Sequence, residues 1–180
     1  MFIHEMFQQK PCVFSVEVFP PKKAGAAEET LYPVLRELCT LGPDYISVTY
    51  GAGGGTAGQS TAKIASYIKN GLHVEALAHL TCVNSTRVQV EETLTRLRED
   101  NVENVLALRG DINPDLPRRM DFLHASDLAK AIAQTGGFGV AGACYPEGHV
   151  ESPSLKADVE SLRYKAEAGV SHLITQLFFD

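Results

Sequence analysis

Glu17 lies in the segment VEVFPPKK, with Phe14, Val18 and Phe19 around it. The two prolines turn the chain and fix its direction. A carboxyl in apolar surroundings is desolvated, so its pKa is expected to rise, and it could hold a proton near neutral pH as a general acid. The plainer alternative is a strand-end glutamate that caps a loop or pairs with a lysine. Asp111 follows NVLALRG, two residues beyond Arg109. That pair reads either as a structural ion pair or as an anion clamp beside a carboxylate that hydrogen-bonds a polar heterocycle. Gln176, in ITQLFFD, places an amide at the end of an otherwise apolar run. An amide both donates and accepts, as recognition of a pterin or nicotinamide edge requires. Tyr145-Pro146-Glu147-Gly148-His149 puts an aromatic, a carboxylate and an imidazole within one short loop, which favours a binding loop over an ordinary turn. His79, in EALAHLTC, reads by itself as a satisfied core histidine. The histidines show no H-x-x-x-H spacing, and Cys12, Cys39, Cys82 and Cys144 form no C-x-x-C pair. Neither a metal site nor a disulfide framework is expected, and a reducing, cytoplasmic setting fits.

These groups share one kind of position. Six short apolar runs recur along the chain: CVFSVEVF, YISVTY, VEALAHLTCV, NVLALRG, FGVAGACY and HLITQLFF, with starts 33, 29, 30, 34 and 34 residues apart. Between them lie segments with helical spacing: Leu31, Val34, Leu35 and Leu38; Ile64 and Ile68; Val90, Leu94 and Leu97; Leu128 and Ile132; Leu155, Val159 and Leu162. Asn84 or Ser85 is expected to cap the third of these helices, and Ser152 followed by Pro153 to open the last. Strand and helix therefore alternate with a period near 30 residues, which implies a parallel α/β sheet, either open and doubly wound or a (β/α)8 barrel. Each run delivers polar groups at or beyond its C-terminal end: Glu17, Thr49 with Tyr50, His79, Arg109 with Asp111, Tyr145 with Glu147, and Gln176 with Asp180. Convergence of many strand ends on one mouth favours the barrel, because an open sheet gathers its ligand groups at a single switch point.

A competing reading rests on Gly53-Gly54-Gly55-Thr56-Ala57-Gly58, which satisfies G-x-G-x-x-G between a strand and a helix expected over Thr61–Asn70. It would make the chain a Rossmann-type NAD-dependent dehydrogenase. The acidic residue that should follow the next strand is missing, since that strand ends in His79. A loop at the barrel mouth is the preferred reading. The net charge of −6 disfavours a nucleic-acid partner. No signal peptide and no apolar stretch long enough to span a bilayer is found, so no membrane association is expected.

Taken together and in register, VEVFPPK, YISVTYGA, HLTC, ALRGD, HASDL, ACYPEGH and ITQLFFD resemble the bacterial-type methylenetetrahydrofolate reductase family, from about Val13 to Asp180. The resemblance implies a TIM barrel that binds FAD without a Rossmann fingerprint. It further implies that NADH or NADPH reduces FAD and leaves, after which 5,10-methylenetetrahydrofolate takes the hydride to become 5-methyltetrahydrofolate for methionine synthesis. Glu17 then resembles the general acid that helps open the folate's imidazolidine ring, Asp111 the carboxylate near flavin and folate, and Gln176 the amide that hydrogen-bonds substrate. By the same resemblance Thr49, Tyr50, Ala52, His79, Arg109, Gly110, Asp111, Ala125, Tyr145, His149, Asp158 and Lys165 fall where the family binds FAD. The chain departs from the pattern at Val16 and Val18, at His124 and at Tyr164, where the family often has aromatic residues, tyrosine and arginine. Homo-oligomers are the family's habit.

A (β/α)8 barrel typically needs about 250 residues, whereas this chain has 180. Only the first six strands are expected, in one incomplete barrel domain over residues 1–180. A barrel lacking its last strands could also be inactive alone.

Overall fold

The computed structural model describes residues 1–23, 25–50, 57–112 and 119–179. Six strands form one parallel sheet: β1 (Ser15–Val18), β2 (Tyr45–Val48), β3 (Glu75–Thr81), β4 (Asn104–Leu108), β5 (Gly139–Cys144) and β6 (His172–Thr175). Their spatial order is their chain order, β1 to β6, and the sheet curls into part of a TIM barrel. Sequential winding has no point at which the strand order reverses, which the dinucleotide-binding sheet requires. Of the glycine segment, 53–58, residues 53–56 lie outside the described residues, as does Ala52, while Ala57 and Gly58 begin the helix Ala57–Ser66.

The helices are α1 (Ile3–Gln9), α2 (Tyr32–Cys39), α3 (Ala57–Ser66), α4 (Arg87–Glu99), α5 (Ala125–Thr135) and α6 (Leu155–Glu167). The segment expected as Thr61–Asn70 is α3 followed by a single π turn, Tyr67–Gly71. Both expected caps shift along the chain. Thr86 caps α4, accepting from Gln89 N at 3.2 Å while Gln89 Oε1 accepts from Thr86 N at 2.9 Å, the reciprocal capping box. Ser154 caps α6 by accepting from Ala157 N at 3.2 Å. Ser152 turns instead to donate to Ser154 O, at 3.1 Å.

Alternation along the strands sorts side chains into two apolar layers. Ile46, Val48, Ala76, Ala78, Leu80, Val105, Ala107 and Val140 pack outward against Leu35, Ile64, Val90, Leu94, Leu97, Leu128 and Ile132 of the helices. Tyr45, Leu77, Leu106 and Ala141 point inward and meet Ile3 and Met6 of α1. That short helix has no counterpart in the sequence pattern, because its buried face is only Ile3 and Met6, one helical turn apart. It closes the N-terminal end of the curled sheet. Buried Asn104 holds it there: Oδ1 accepts from Ile3 N at 2.9 Å and Nδ2 donates to Met1 O at 3.1 Å. Gly139 makes room, since a Cβ there would stand 2.8 Å from Asn104 Oδ1.

Two helical faces differ from expectation. Val34 of α2 is exposed while Tyr32 is buried, and Leu155 and Val159 of α6 are exposed while Asp158 is buried. In α6 the inward side serves a polar contact near the strand ends, so the apolar positions lie elsewhere on the helix.

Candidate functional site

With the N-terminal end closed by α1, the C-terminal ends of the strands open on a cleft of about 1470 Å³. From β2 and its continuation come Thr49 and Tyr50. Thr49 O accepts from Thr61 Oγ1 at 2.9 Å. The Tyr50 hydroxyl is bonded by Ser85 and the Gly58 backbone, while burial raises its pKa. From β3 comes His79, 7% exposed, whose Nε2 has no hydrogen-bond partner among the described residues. Burial pushes its pKa down to about 4, so the imidazole is neutral at physiological pH.

The end of β4 supplies Arg109, Gly110 and Asp111. Arg109 forms a two-pronged ion pair with Glu151, Nη1–Oε2 2.5 Å and Nη2–Oε1 2.8 Å, the geometry a guanidinium fork favours. Its partner is thus Glu151 rather than Asp111, whose charge adds only a weaker pull. No sequence pattern singles out Glu151, because it lies 42 residues from Arg109 along the chain, beyond α5 and β5. Gly110 has φ +85°, and a Cβ there would stand 3.0 Å from Thr81 Cβ and 3.2 Å from Val83 Cγ1. Only glycine fits that turn.

Beyond β5, Tyr145 and His149 meet edge to face, with ring centroids 4.7 Å apart. Asp158 fixes this loop by accepting from His149 N at 3.1 Å. Lys165 reaches back from the last turn of α6 to Ala143 O at 2.5 Å, and burial lowers its pKa. Ala125 opens α5 at the rim, where Asp127 Oδ2 accepts from Leu123 N at 3.0 Å and His124 N at 2.9 Å. Beneath them burial, the largest cause, pushes the Cys82 thiol up to about 12, so it stays protonated.

Glu17, on β1, and Gln176, directly after β6, stand apart from this cleft lining. Glu17 Oε2 accepts from Ser47 Oγ at 3.3 Å and lies 3.5 Å from His79 Nε2. The apolar enclosure expected around it is not formed. Its side chain is 48% exposed, Phe14 and Phe19 are 45% and 70% exposed, and Val18 faces the outer helical layer. Gln176 continues the β5–β6 pairing, its N–H donating to Cys144 O at 2.8 Å, and its side chain is exposed. Among the described residues no group of three or more His, Cys, Asp or Glu is placed to hold a metal ion. No described helix is long and apolar enough to cross a membrane.

Six parallel strands wound in chain order, with polar side chains converging at their C-terminal ends, define a TIM-barrel-type α/β protein. Solved structures agree on the fold alone. A 2,3-dimethylmalate lyase superposes with TM-score 0.65 at 12% identity, covering 97% of this chain and 62% of that protein. A phosphoenolpyruvate phosphomutase from Streptomyces platensis subsp. rosaceus gives 0.63 at 13%, with 95% and 62% covered.

Sequence similarity is more specific. The family model for methylenetetrahydrofolate reductase matches residues 2–180, and the chain belongs to that family. It is 39% identical over 166 residues to the 5,10-methylenetetrahydrofolate reductase of Pectobacterium carotovorum, covering 92% of this chain and 54% of that protein. It is 36% identical to the Escherichia coli protein of the same name, with 92% and 55% covered. It is 35% identical to methylenetetrahydrofolate reductase (NADH) 1 of Arabidopsis thaliana, with 99% and 32% covered. The chain spans about half the length of the bacterial relatives it matches.

Proposed function

We propose that this chain carries the flavin-binding cleft and the proton-donating carboxylate of a methylenetetrahydrofolate reductase, using NADH or NADPH to reduce 5,10-methylenetetrahydrofolate to 5-methyltetrahydrofolate. The observation that carries this reading is the convergence of Thr49, His79, Arg109, Asp111, Tyr145 and Lys165 on one cleft in a chain of this family.

The cleft's chemistry fits FAD. Its volume exceeds the few hundred to about 1,000 Å³ usual for small ligands, as a dinucleotide needs. Among the described residues the buried Nε2 of His79 makes no hydrogen bond, with the Glu17 carboxylate 3.5 Å away, which leaves it open to a ligand's polar atom. Thr49, Tyr50, Arg109, Gly110, Ala125, Tyr145, His149, Asp158 and Lys165 would hold the cofactor, and Ala52 is assigned with them by family resemblance. Bound there, FAD would supply a hydride carrier between the nicotinamide donor and the folate.

The chain's own groups then orient and protonate. The Asp111 carboxylate accepts hydrogen bonds from a reduced pterin edge, and the Gln176 amide donates and accepts at the same substrate. Glu17 delivers a proton to the folate nitrogen that departs as the imidazolidine ring opens. Its partial exposure gives the carboxyl access to solvent for reprotonation.

The two half-reactions separate these roles. Glu17→Gln leaves flavin reduction by the nicotinamide nearly intact and abolishes folate reduction, read by stopped-flow absorbance. Equal loss in both half-reactions would make Glu17 a structural residue and overturn the assignment.

A further inference from the structure

Ser47 interrupts the buried run of β2. It is 6% exposed, between Ile46 and Val48, which are fully buried in the outer layer. On the inner face its neighbours along the curled sheet include the apolar Tyr45 and Leu77. A hydroxyl placed there costs free energy unless it is bonded, and alanine would fill the space without that cost. The strand register sets Ser47 directly beside Glu17, and its Oγ donates to Glu17 Oε2 at 3.3 Å.

His79 Nε2 stands 3.5 Å from the same oxygen without forming a hydrogen bond, and the Ser47 bond, at 3.3 Å, is itself long for O–H···O. Among the described residues the bond from Ser47 is therefore the one hydrogen bond that fixes the carboxylate, and Oε1 accepts none.

We propose that Ser47 is a positioning residue for Glu17, pinning Oε2 so that Oε1 is the oxygen that carries and delivers the proton. This rests on the reading of Glu17 as the general acid. In the step, the Oε1–H bond breaks and its proton joins the folate ring nitrogen. The electron pair of the opening C–N bond moves onto that nitrogen, and the carboxylate left behind keeps its bond from Ser47. A hydroxyl serves both states, since it donates to the charged carboxylate and tolerates the neutral acid.

The test uses the flavin-loaded chain in single-turnover half-reactions, with thermal melting as a control for folding. Ser47→Ala slows folate reduction about two- to tenfold, the worth of an ordinary hydrogen bond, and leaves flavin reduction by NADH unchanged. Ser47→Thr, which restores the hydroxyl, recovers the folate rate. An unchanged folate rate in Ser47→Ala beside a selective loss in Glu17→Gln would overturn the role of Ser47 and leave that of Glu17 standing. Equal slowing of both half-reactions by Glu17→Gln would remove both roles together.

Discussion

Acid destabilises this chain through His79, and replacing His79 with glutamine removes that part of the pH dependence. The imidazole is buried at 7% exposure, and burial lowers its pKa from 6.5 to about 4. Because the folded value lies below the unfolded one, the unfolded chain binds more protons between those two pH values. The contribution of the neutral imidazole is therefore fully present above about pH 6.5 and is lost as pH falls through about pH 4. Each pH unit across that window removes about 1.4 kcal/mol, so the whole loss is about 3 kcal/mol. The Glu17 carboxylate, 3.5 Å away, pulls in the opposite direction by favouring the protonated imidazole, which makes about 3 kcal/mol the upper end. Urea unfolding of the apoprotein at about pH 7 and about pH 4 measures the effect. His79→Gln keeps a neutral polar group at every pH and so loses less stability on acidification than the unsubstituted chain. His172, lowered to about 4 by burial first and by His4 second, titrates in both proteins and cancels in the difference, as do the carboxylates other than Glu17. Parallel losses in the two proteins would refute the claim that His79 is held neutral by burial.

Two further substitutions test the frame around the cleft. Gly110→Ala forces a Cβ into a left-handed backbone, 3.0 Å from Thr81 Cβ. It destabilises by about 2–4 kcal/mol, strain plus overpacking, read as a lower urea midpoint, and it weakens flavin binding because it displaces the neighbouring Arg109. Asn104→Ala removes the two bonds that Asn104 makes to the start of the chain and leaves the Ile3 N–H buried. The cost is about 2–4 kcal/mol, with faster amide exchange confined first to Ile3–Gln9.

Much of the barrel is legible in the sequence because strands covered on both faces read as continuous apolar runs, and all six runs are strands in chain order. The helices that face the outer layer are legible for the same reason. Val90, Leu94 and Leu97 recur at helical spacing and are all buried. Alternation within a continuous apolar run is invisible, so nothing in YISV tells that Tyr45 and Ser47 face inward while Ile46 and Val48 face the helices. The plug formed by α1 hides for want of a long apolar stripe, since it buries only Ile3 and Met6. Helix starts are ambiguous where a serine or asparagine near the true cap offers the same chemistry, as at Ser152 against Ser154. The cleft's polar strand ends are legible from their position, whereas their partners are not. Arg109 pairs with Glu151 and Glu17 with Ser47 through folding that brings distant segments together. The open environment of Glu17 is hidden for a related reason: alternation sends its apolar sequence neighbour Val18 to the opposite face.

The visible absorption spectrum of the purified protein, before and after addition of FAD, tests most directly whether the cleft at the C-terminal strand ends holds a flavin. A bound-flavin spectrum is expected, weakened by Gly110→Ala. A folded protein that is colourless once unbound FAD has been removed by gel filtration, yet binds NADH, would contradict it.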